Sequence, residues 1–340
     1  MCPKAAFTTT IPVEILLAAG ITPLDLNNSF IGSDKAELYV EKAEIYGFPR
    51  NSCAWIKGLF SASEYLHSKK DIDLFVAVTE GDCSNARVLT EIIASEFNIK
   101  TYIFNYPYDR DFLKMENELE KFASFVGTTI NKAENVRKKL SGVRSRLREL
   151  DEFSYKYPGL ISGGENHLRL VSSSDFNGGD WEGFELELES FLQEKREKTA
   201  SFTQNKKIKK LAYLGVPPIF DLYSFIEQKK GVVIYNEIQR EFAMLGDFKN
   251  LAEQYLDYTY PYSSDFRFQK AIAQIKNRSV DGIVHYVQAF CHRQLEDILL
   301  RKMLKEENLN IPVMTLEGDK PLFELDGRIK TRIEAFLETI

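Results

Sequence analysis

Hydrophobic positions along this chain follow two alternating patterns. Short runs that are apolar on both faces, such as Asp73–Val78, are typical of buried parallel strands. Longer stretches with apolar residues three and four positions apart, such as Ser84–Phe97, predict amphipathic helices. Because strands and helices alternate, the strands are expected to pair in parallel within doubly wound sheets, which predicts an α/β fold.

The alternation occurs twice and divides the chain into three predicted regions. Residues 1–110 and 208–340 are expected to form an N-terminal and a C-terminal α/β domain. Residues 111–207 predict a helical connection that contains a loop rich in glycine, serine and asparagine at Ile161–Gly183. The predicted strands are 21–26, 73–78, 100–105, 209–218, 231–237, 282–287 and 311–316, and the predicted helices outside the connection are 12–19, 54–67, 84–97, 221–228, 247–257, 266–276, 292–307 and 327–339.

Composition and charge narrow the class of protein. A hydrophobic fraction of 44% and a charged fraction of 28% are ordinary for a globular domain. The net charge of −6 disfavours nucleic-acid binding, and no apolar run is long enough to span a membrane. The N-terminus lacks the basic region and cleavage site of a signal peptide. We therefore expect a cytoplasmic protein that binds neither nucleic acid nor membrane.

Three of the four cysteines occur in a recurring context. Cys83 and Cys291 each follow a strand-like run, Cys53 follows a turn, and each opens a predicted helix. The positive end of a helix dipole favours a thiolate, so the three side chains could converge in one crevice and cradle an anionic iron–sulfur cluster. Alternatively, they pack in the core, as free cysteines often do. Cys2 is either an extra ligand or, as is more typical of a chain terminus, a disordered N-terminal thiol outside this pattern.

Further motifs add weaker signals. The chain has no GxxxxGK[ST], GxGxxG or GxSxG motif, which disfavours a P-loop ATPase, a dinucleotide-binding enzyme and a typical hydrolase. His285 and His292 flank Cys291, and they either tune a cluster by hydrogen bonding or belong to a strand face and a helix cap. Two Tyr-Pro-Tyr segments, Tyr106–Tyr108 and Tyr260–Tyr262, either line a crevice or pack as loops.

Together these segments resemble the 2-hydroxyacyl-CoA dehydratase / benzoyl-CoA reductase family, and in particular the 2-hydroxyglutaryl-CoA dehydratase D-component and the double-cubane cluster proteins. The resemblance covers most of the chain in the family's order. The matching segments are IPVEILLAAGITPLDL, NSCAW, GDCSNAR, KKLAYLGVPPIFDLYSFIEQKKGVVIYNEIQRE, DGIVHYVQAFCHRQLED and IPVMTLEGDKPLFELDGRIKTRIEAFLE.

This resemblance implies two flavodoxin-like (Rossmann-like) parallel-sheet domains joined by a helical segment. It implies that Cys53, Cys83 and Cys291 hold an iron–sulfur cluster, either 4Fe–4S or a double-cubane 8Fe–9S. It further implies a homodimer or a heterodimer with a homologue. A separate ATP-hydrolysing iron–sulfur activator protein would supply low-potential electrons.

The function that follows from the resemblance is that of a cluster-bearing component of an ATP-dependent, two-component reductase or dehydratase. Its substrate would be a 2-hydroxyacyl-CoA that is dehydrated, or another small molecule that is reduced, at an open iron of the cluster. Two alternatives remain at this point. The chain could be a non-catalytic subunit of such a dehydratase, or a metal-free α/β binding protein with buried cysteines.

Overall fold

The computed structural model describes residues 2–203, 207–321 and 325–340, so that residues 204–206 of the predicted connection lie outside the described part. The strands are β1 (Lys4–Phe7), β2 (Thr22–Asp25), β3 (Leu74–Val78), β4 (Lys100–Phe104), β5 (Lys209–Leu214), β6 (Gly231–Asn236), β7 (Gly282–Gln288) and β8 (Val313–Gly318). The helices are α1 (Val13–Ala18), α2 (Leu26–Ile31), α3 (Ala36–Tyr46), α4 (Ala54–Ser68), α5 (Ser84–Phe97), α6 (Phe112–Phe125), α7 (Ile130–Lys139), α8 (Ser141–Lys156), α9 (Gly163–Ser172), α10 (Phe176–Gly179), α11 (Trp181–Thr199), α12 (Tyr223–Gln228), α13 (Glu237–Ala243), α14 (Leu251–Asp257), α15 (Ser264–Arg278), a 3₁₀ turn (His292–Leu295), α16 (Glu296–Glu306) and α17 (Gly327–Thr339).

The chain divides into two compact units, and each is assembled from three separate segments. Unit 1 comprises Met1–Gly142, Ser172–Phe184 and Gly246–Ser263. Unit 2 comprises Val143–Val171, Glu185–Leu245 and Ser264–Ile340.

Unit 1 is built on a four-stranded parallel sheet with the order β2-β1-β3-β4. β1 lies in the middle, where Ala5 pairs with Pro23 of β2 and with Leu74 of β3. The core side chains of β1 and β3 are fully or almost fully buried, which is expected of strands covered by helices on both faces. The sequence pattern missed β1 because it is short and has two alanines, which carry little β-propensity.

Unit 2 repeats this architecture with a second four-stranded parallel sheet, in the order β6-β5-β7-β8. All residues of β6 and β7 are buried, and they pack with apolar side chains of α15 and α16, including Phe268, Ile272 and Leu300. Both sheets therefore have the 2-1-3-4 strand order of flavodoxin-like folds. The predicted fold class, α/β with two flavodoxin-like parallel-sheet domains, is confirmed.

Most predicted elements agree with the structure within a few residues, but the predicted loop at Ile161–Gly183 is wrong. Its first part forms α9, which begins with a capping box. The Ser162 Oγ accepts the N–H of Glu165 at 2.9 Å, and the Glu165 carboxylate accepts the N–H of Ser162 at 2.8 Å. These reciprocal hydrogen bonds start a helix in spite of Gly163 and Gly164.

Other differences are local. Helices α2, α3 and α13 were not predicted. The predicted helix 292–307 begins instead with the 3₁₀ turn and continues as α16. In the described part of the chain, none of the helices is both long enough and apolar enough to cross a membrane.

A buried ion-pair network stabilises unit 2. The Arg267 guanidinium, 1% exposed, donates to Glu237 at 2.6 and 2.7 Å and also to Glu296. Glu237 lies just after β6 and accepts the N–H of Gly215, which follows β5, at 3.0 Å. Glu296 begins α16 and also accepts from Arg293 at 2.7 Å. One arginine therefore joins segments that follow three strands of the sheet.

We expect Arg267→Met to lower the free energy of unfolding by about 3–5 kcal/mol, because it removes the cation that pairs with buried Glu237 and one of the two arginines that pair with buried Glu296. Denaturant unfolding of the variant and the parent protein measures this. The control is Lys302→Met, which removes an exposed pair with Glu306 at 3.7 Å and should cost less than about 1 kcal/mol. Equal effects of the two substitutions would contradict a stabilising role of the network.

In unit 1, two carboxylates are buried close together. Asp175 Oδ2 accepts the N–H of Asp25 at 2.9 Å, and Ser174 Oγ donates to Asp25 Oδ2 at 2.5 Å. Burial, followed by the charge of Asp25, raises the pKa of Asp175 to about 7. Burial also raises the pKa of Asp25. Asp175 and Asp25 thus join the segment around Asp175 to the end of β2, and the raised pKa of each carboxyl favours its protonated state.

A raised carboxyl pKa contributes stability at low pH that is lost as the pH rises from the ordinary value of 3.8 to about 7. In Asp175→Asn this titration is absent. Its free energy of unfolding, relative to that of the parent protein, should therefore increase between pH 4 and 7 by up to about 1.4 kcal/mol per pH unit. Urea unfolding at several pH values tests this, with the exposed Asp34→Asn as control. A difference that does not change with pH would contradict it.

Candidate cysteine sites

The strand order places a ligand-binding position in each unit. In a sheet of order 2-1-3-4, ligands bind beyond the carboxyl ends of the first and third strands, where the connections diverge to opposite sides. This point lies between β1 and β3 in unit 1 and between β5 and β7 in unit 2. Cys83 lies in the connection that follows β3, and Cys291 lies in the connection that follows β7. Each cysteine therefore lies at the switch point of its own sheet.

Cys83 occupies the N-cap of α5, and its Sγ accepts the N–H of Ala86 at 3.4 Å. The preceding residue fixes this turn. Asp82 Oδ1 accepts the N–H of Cys83 at 2.7 Å, and Asp82 Oδ2 accepts a hydrogen bond from the hydroxyl of Thr9. Because Thr9 follows β1, this carboxylate connects the ends of both strands at the switch point.

The turn before Cys83 also packs closely against Pro261. Gly81 has a φ of +107°, and a Cβ there would lie 2.5 Å from the Cβ of Pro261. The two Tyr-Pro-Tyr segments meet nearby, since the rings of Tyr106 and Tyr262 make an edge contact at 5.9 Å. The Tyr106 hydroxyl donates to the carbonyl of Thr10 at 2.7 Å. Within unit 1 these segments pack against each other as loops.

Cys53 is the N-cap of α4 and is 8% exposed. Its carbonyl accepts the N–H of Lys57 at 3.3 Å, whereas its side chain does not cap the helix. Through a short loop α4 leads into β3, and such a crossover helix runs antiparallel to the strand that it precedes. The N-terminus of α4, with Cys53, is therefore expected on the same edge of the sheet as Cys83.

Three buried hydrogen-bond donors of unit 1 have no partner among the described residues. They are the indole Nε1 of Trp55, in the first turn of α4, the hydroxyl of Thr8, directly after β1, and the hydroxyl of Thr259, after α14. Trp55 is 9% exposed and Thr8 is 6% exposed. Buried polar groups in folded proteins are nearly always satisfied, by the chain or by a bound molecule.

Cys291 lies in unit 2 and is partly exposed. Its N–H donates to the carbonyl of Gln288 at 3.1 Å, and its carbonyl accepts the N–H of Gln294 at 3.2 Å. The preceding Phe290 has a φ of +62°, so the backbone turns sharply before the cysteine. Cys291 is the N-cap of the 3₁₀ turn, and His292 Nδ1 lies 4.0 Å from its Sγ.

His285 is buried within β7, and its Nδ1 lies 3.0 Å from Asp297 Oδ1. That carboxylate also accepts from Thr315 and Arg301, both at 2.6 Å. The hydrogen bond with His285, followed by those from Thr315 and Arg301, lowers the pKa of Asp297 against the opposing effect of burial. His285 therefore takes the strand position that was one of its two predicted roles.

The SGGENH segment forms a buried polar network in unit 2. Tyr223 donates to Asn236 Oδ1 at 2.9 Å, and its hydroxyl lies 3.1 Å from His167 Nδ1. Burial lowers the pKa of His167 to about 3. Gly163 packs closely on the chain itself, since a Cβ there would lie 2.9 Å from Tyr223 and Val233. Gly163 therefore serves the packing of α9 against Tyr223 and Val233.

The predicted positions of the three cysteines at the starts of helices agree with the structure. Their predicted role as cluster ligands stays a prediction. In the ranges that the structure describes, no group of three or more histidine, cysteine, aspartate and glutamate side chains is arranged to hold a metal ion.

The sequence analysis did not identify Thr9, Trp55 or Arg267 as residues of interest. For Thr9 and Trp55 the sequence does contain a feature that could have pointed to them. Thr9 belongs to a run of three threonines directly after an apolar segment, and Trp55 follows Cys53 within the first helical turn. Arg267 has no such signal, because only the packed structure shows which carboxylates surround it.

No curated protein matches the chain. A protein-family model described as 2-hydroxyglutaryl-CoA dehydratase, D-component, matches residues 8–340, which is nearly the whole chain. This match supports a dehydratase-like enzyme or enzyme subunit. The chain belongs to the 2-hydroxyglutaryl-CoA dehydratase D-component family.

Proposed function

We propose that this protein is the cluster-bearing component of an ATP-dependent, two-component dehydratase that acts on a 2-hydroxyacyl-CoA. Low-potential electrons would come from a separate ATP-hydrolysing iron–sulfur activator. The observation that carries the proposal is the placement of Cys83 and Cys291, each after the third strand of a 2-1-3-4 sheet and each at the start of a helical segment.

The donor set fits an iron–sulfur cluster. Cys53, Cys83 and Cys291 would supply thiolates, the ligands that such clusters prefer. The helix N-termini at Cys53 and Cys83 favour the thiolate form and the negative charge of a cluster. The unpartnered donors Trp55 Nε1 and Thr8 Oγ1 lie on two segments that reach the same edge of the sheet in unit 1. Three ligands favour a 4Fe–4S cluster with one open iron over a double cubane.

When bound, the cluster would supply one-electron reduction at low potential and an open coordination position for the substrate. The task of the chain is to hold its ligands in place. Asp82 fixes the Cys83 turn to the end of β1 through Thr9. In unit 2 the Arg267–Glu296 ion pair secures the start of α16, just beyond Cys291. Rigid ligand positions of this kind reduce the rearrangement that electron transfer requires.

The proposal includes two kinds of partner. An activator must couple ATP hydrolysis to electron delivery, because this chain has no P-loop motif of its own. A second copy of the chain, or a homologue, would complete the dimeric enzyme that the family resemblance implies.

Replacing a ligand should remove iron. We expect Cys83→Ser and Cys291→Ser to bind less than half of the iron and acid-labile sulfide of the parent protein after anaerobic reconstitution, because a hydroxyl is a poor ligand for iron–sulfur clusters. The matched control is Cys2→Ser, a change at an exposed cysteine, which should keep the parent iron content. Full iron content in both ligand variants would refute the site.

Activity requires the partner protein. The loaded protein should dehydrate a 2-hydroxyacyl-CoA to an enoyl-CoA in the presence of an activator, ATP and a reductant, and leaving out any one of these should abolish turnover. A coupled assay of product formation measures this. A loaded but inactive homodimer that becomes active with a co-purified homologue would identify a non-catalytic subunit. A protein that binds no iron would favour the metal-free binding protein. A clearly higher ratio of sulfide to iron would favour the double cubane.

A further inference from the structure

Trp55 has a buried hydrogen-bond donor and lies at the start of the same helix as Cys53, a predicted cluster ligand. Its indole Nε1 is a donor only, and it has no acceptor among the residues that the structure describes. The residue is 9% exposed, so the bulk solvent offers the N–H little access. A donor in this situation lacks one hydrogen bond that it would form in water, unless a bound molecule accepts it.

The indole of Trp55 packs against a buried aromatic ring. Its ring meets the ring of Phe30 edge-on, with centroids 5.4 Å apart and an interplanar angle of 79°. Phe30 is itself fully buried and lies over Gly58, where a Cβ would lie 2.3 Å from its ring. Helices α2 and α4 therefore pack against each other through this ring pair.

Trp55 lies two positions after Cys53 in the sequence. Cys53 is the N-cap of α4, and Trp55 is the second residue of the helix. This first turn also presents backbone N–H groups that no preceding turn can satisfy. The Cys53 side chain does not use them, unlike that of Cys83, which accepts the N–H of Ala86. The donor without a partner at this helix start is therefore the indole of Trp55.

We propose that Trp55 donates its indole N–H to sulfur of the bound cluster, either the Cys53 thiolate or a sulfide next to it. This inference rests on the proposed function. A hydrogen bond to cluster sulfur stabilises the more negative, reduced state and raises the reduction potential. Trp55 would therefore raise the reduction potential of the cluster, and its hydrogen bond would be strongest in the reduced protein.

The chain offers a direct test because it contains two tryptophans, Trp55 and Trp181. In Trp181→Phe, labelling with ¹⁵N-indole tryptophan marks Trp55 alone. After anaerobic loading and dithionite reduction, pulsed EPR should detect a ¹⁵N hyperfine coupling, and an exchangeable proton coupling should disappear in D₂O. This measurement leaves Trp55 itself unchanged, so it does not depend on whether a Trp55 variant folds.

Trp55→Phe then tests the effect on the potential. The substitution keeps an aromatic ring against Phe30 and removes the N–H, so the midpoint potential should shift to more negative values at unchanged iron content. The control is Trp181→Phe, which should keep the parent potential. Circular dichroism and thermal melting of the apo-protein show whether a change comes from folding.

The outcomes separate this inference from the function on which it rests. A loaded cluster with no ¹⁵N coupling, and with the same potential in Trp55→Phe, would overturn the role of Trp55 and leave the proposed function intact. Lower stability of the variant with an unshifted potential would likewise assign Trp55 to packing. Failure of the parent protein to bind iron would overturn both proposals.

Discussion

Parallel strand pairing is the constraint on which the rest of this structure depends. Parallel strands need a crossover for each connection, so the carboxyl ends of all strands in a sheet, and the starts of the helices that follow, share one edge. In both units the strand order is 2-1-3-4, which opens this edge between the first and third strands. Cys83 and Cys291 follow the third strands, so the same topology explains the placement of both.

The two units secure their cysteine-bearing turns by different means. In unit 1 a glycine with positive φ, Gly81, packs on Pro261, and a carboxylate, Asp82, connects the turn to Thr9. In unit 2 the arginine Arg267 pairs with Glu296 at the start of α16. Each arrangement holds backbone through charged or close contacts at positions where loops would otherwise be mobile.

Some buried polar side chains have hydrogen-bond partners in the described residues, and others have none. The network of Tyr223, His167 and Asn236 in unit 2 is joined by hydrogen bonds between protein groups. Around the start of α4 and the end of β1, Trp55 Nε1 and Thr8 Oγ1 have no acceptor in the described residues. In unit 2 the buried side-chain amide of Gln239 likewise has no partner among the described residues. Orphaned donors are rare in folded proteins, so those of Trp55 and Thr8 are a reason to expect a bound group near the start of α4.

The amino-acid sequence by itself determined the fold class, most strands and helices, and the start of a helical segment at each of the three cysteines. These features depend on hydrophobic periodicity and on residues near one another in the chain. It did not predict β1, because four residues are too few to give a clear hydrophobic pattern. It predicted a loop at Ile161–Gly183 because glycine and serine are typical of loops, although the segment contains a capping box. The strand order, the partners of Arg267 and the unmet donor of Trp55 were decided by the tertiary structure alone, because each depends on contacts between residues that are distant in sequence or on the exclusion of water by packing.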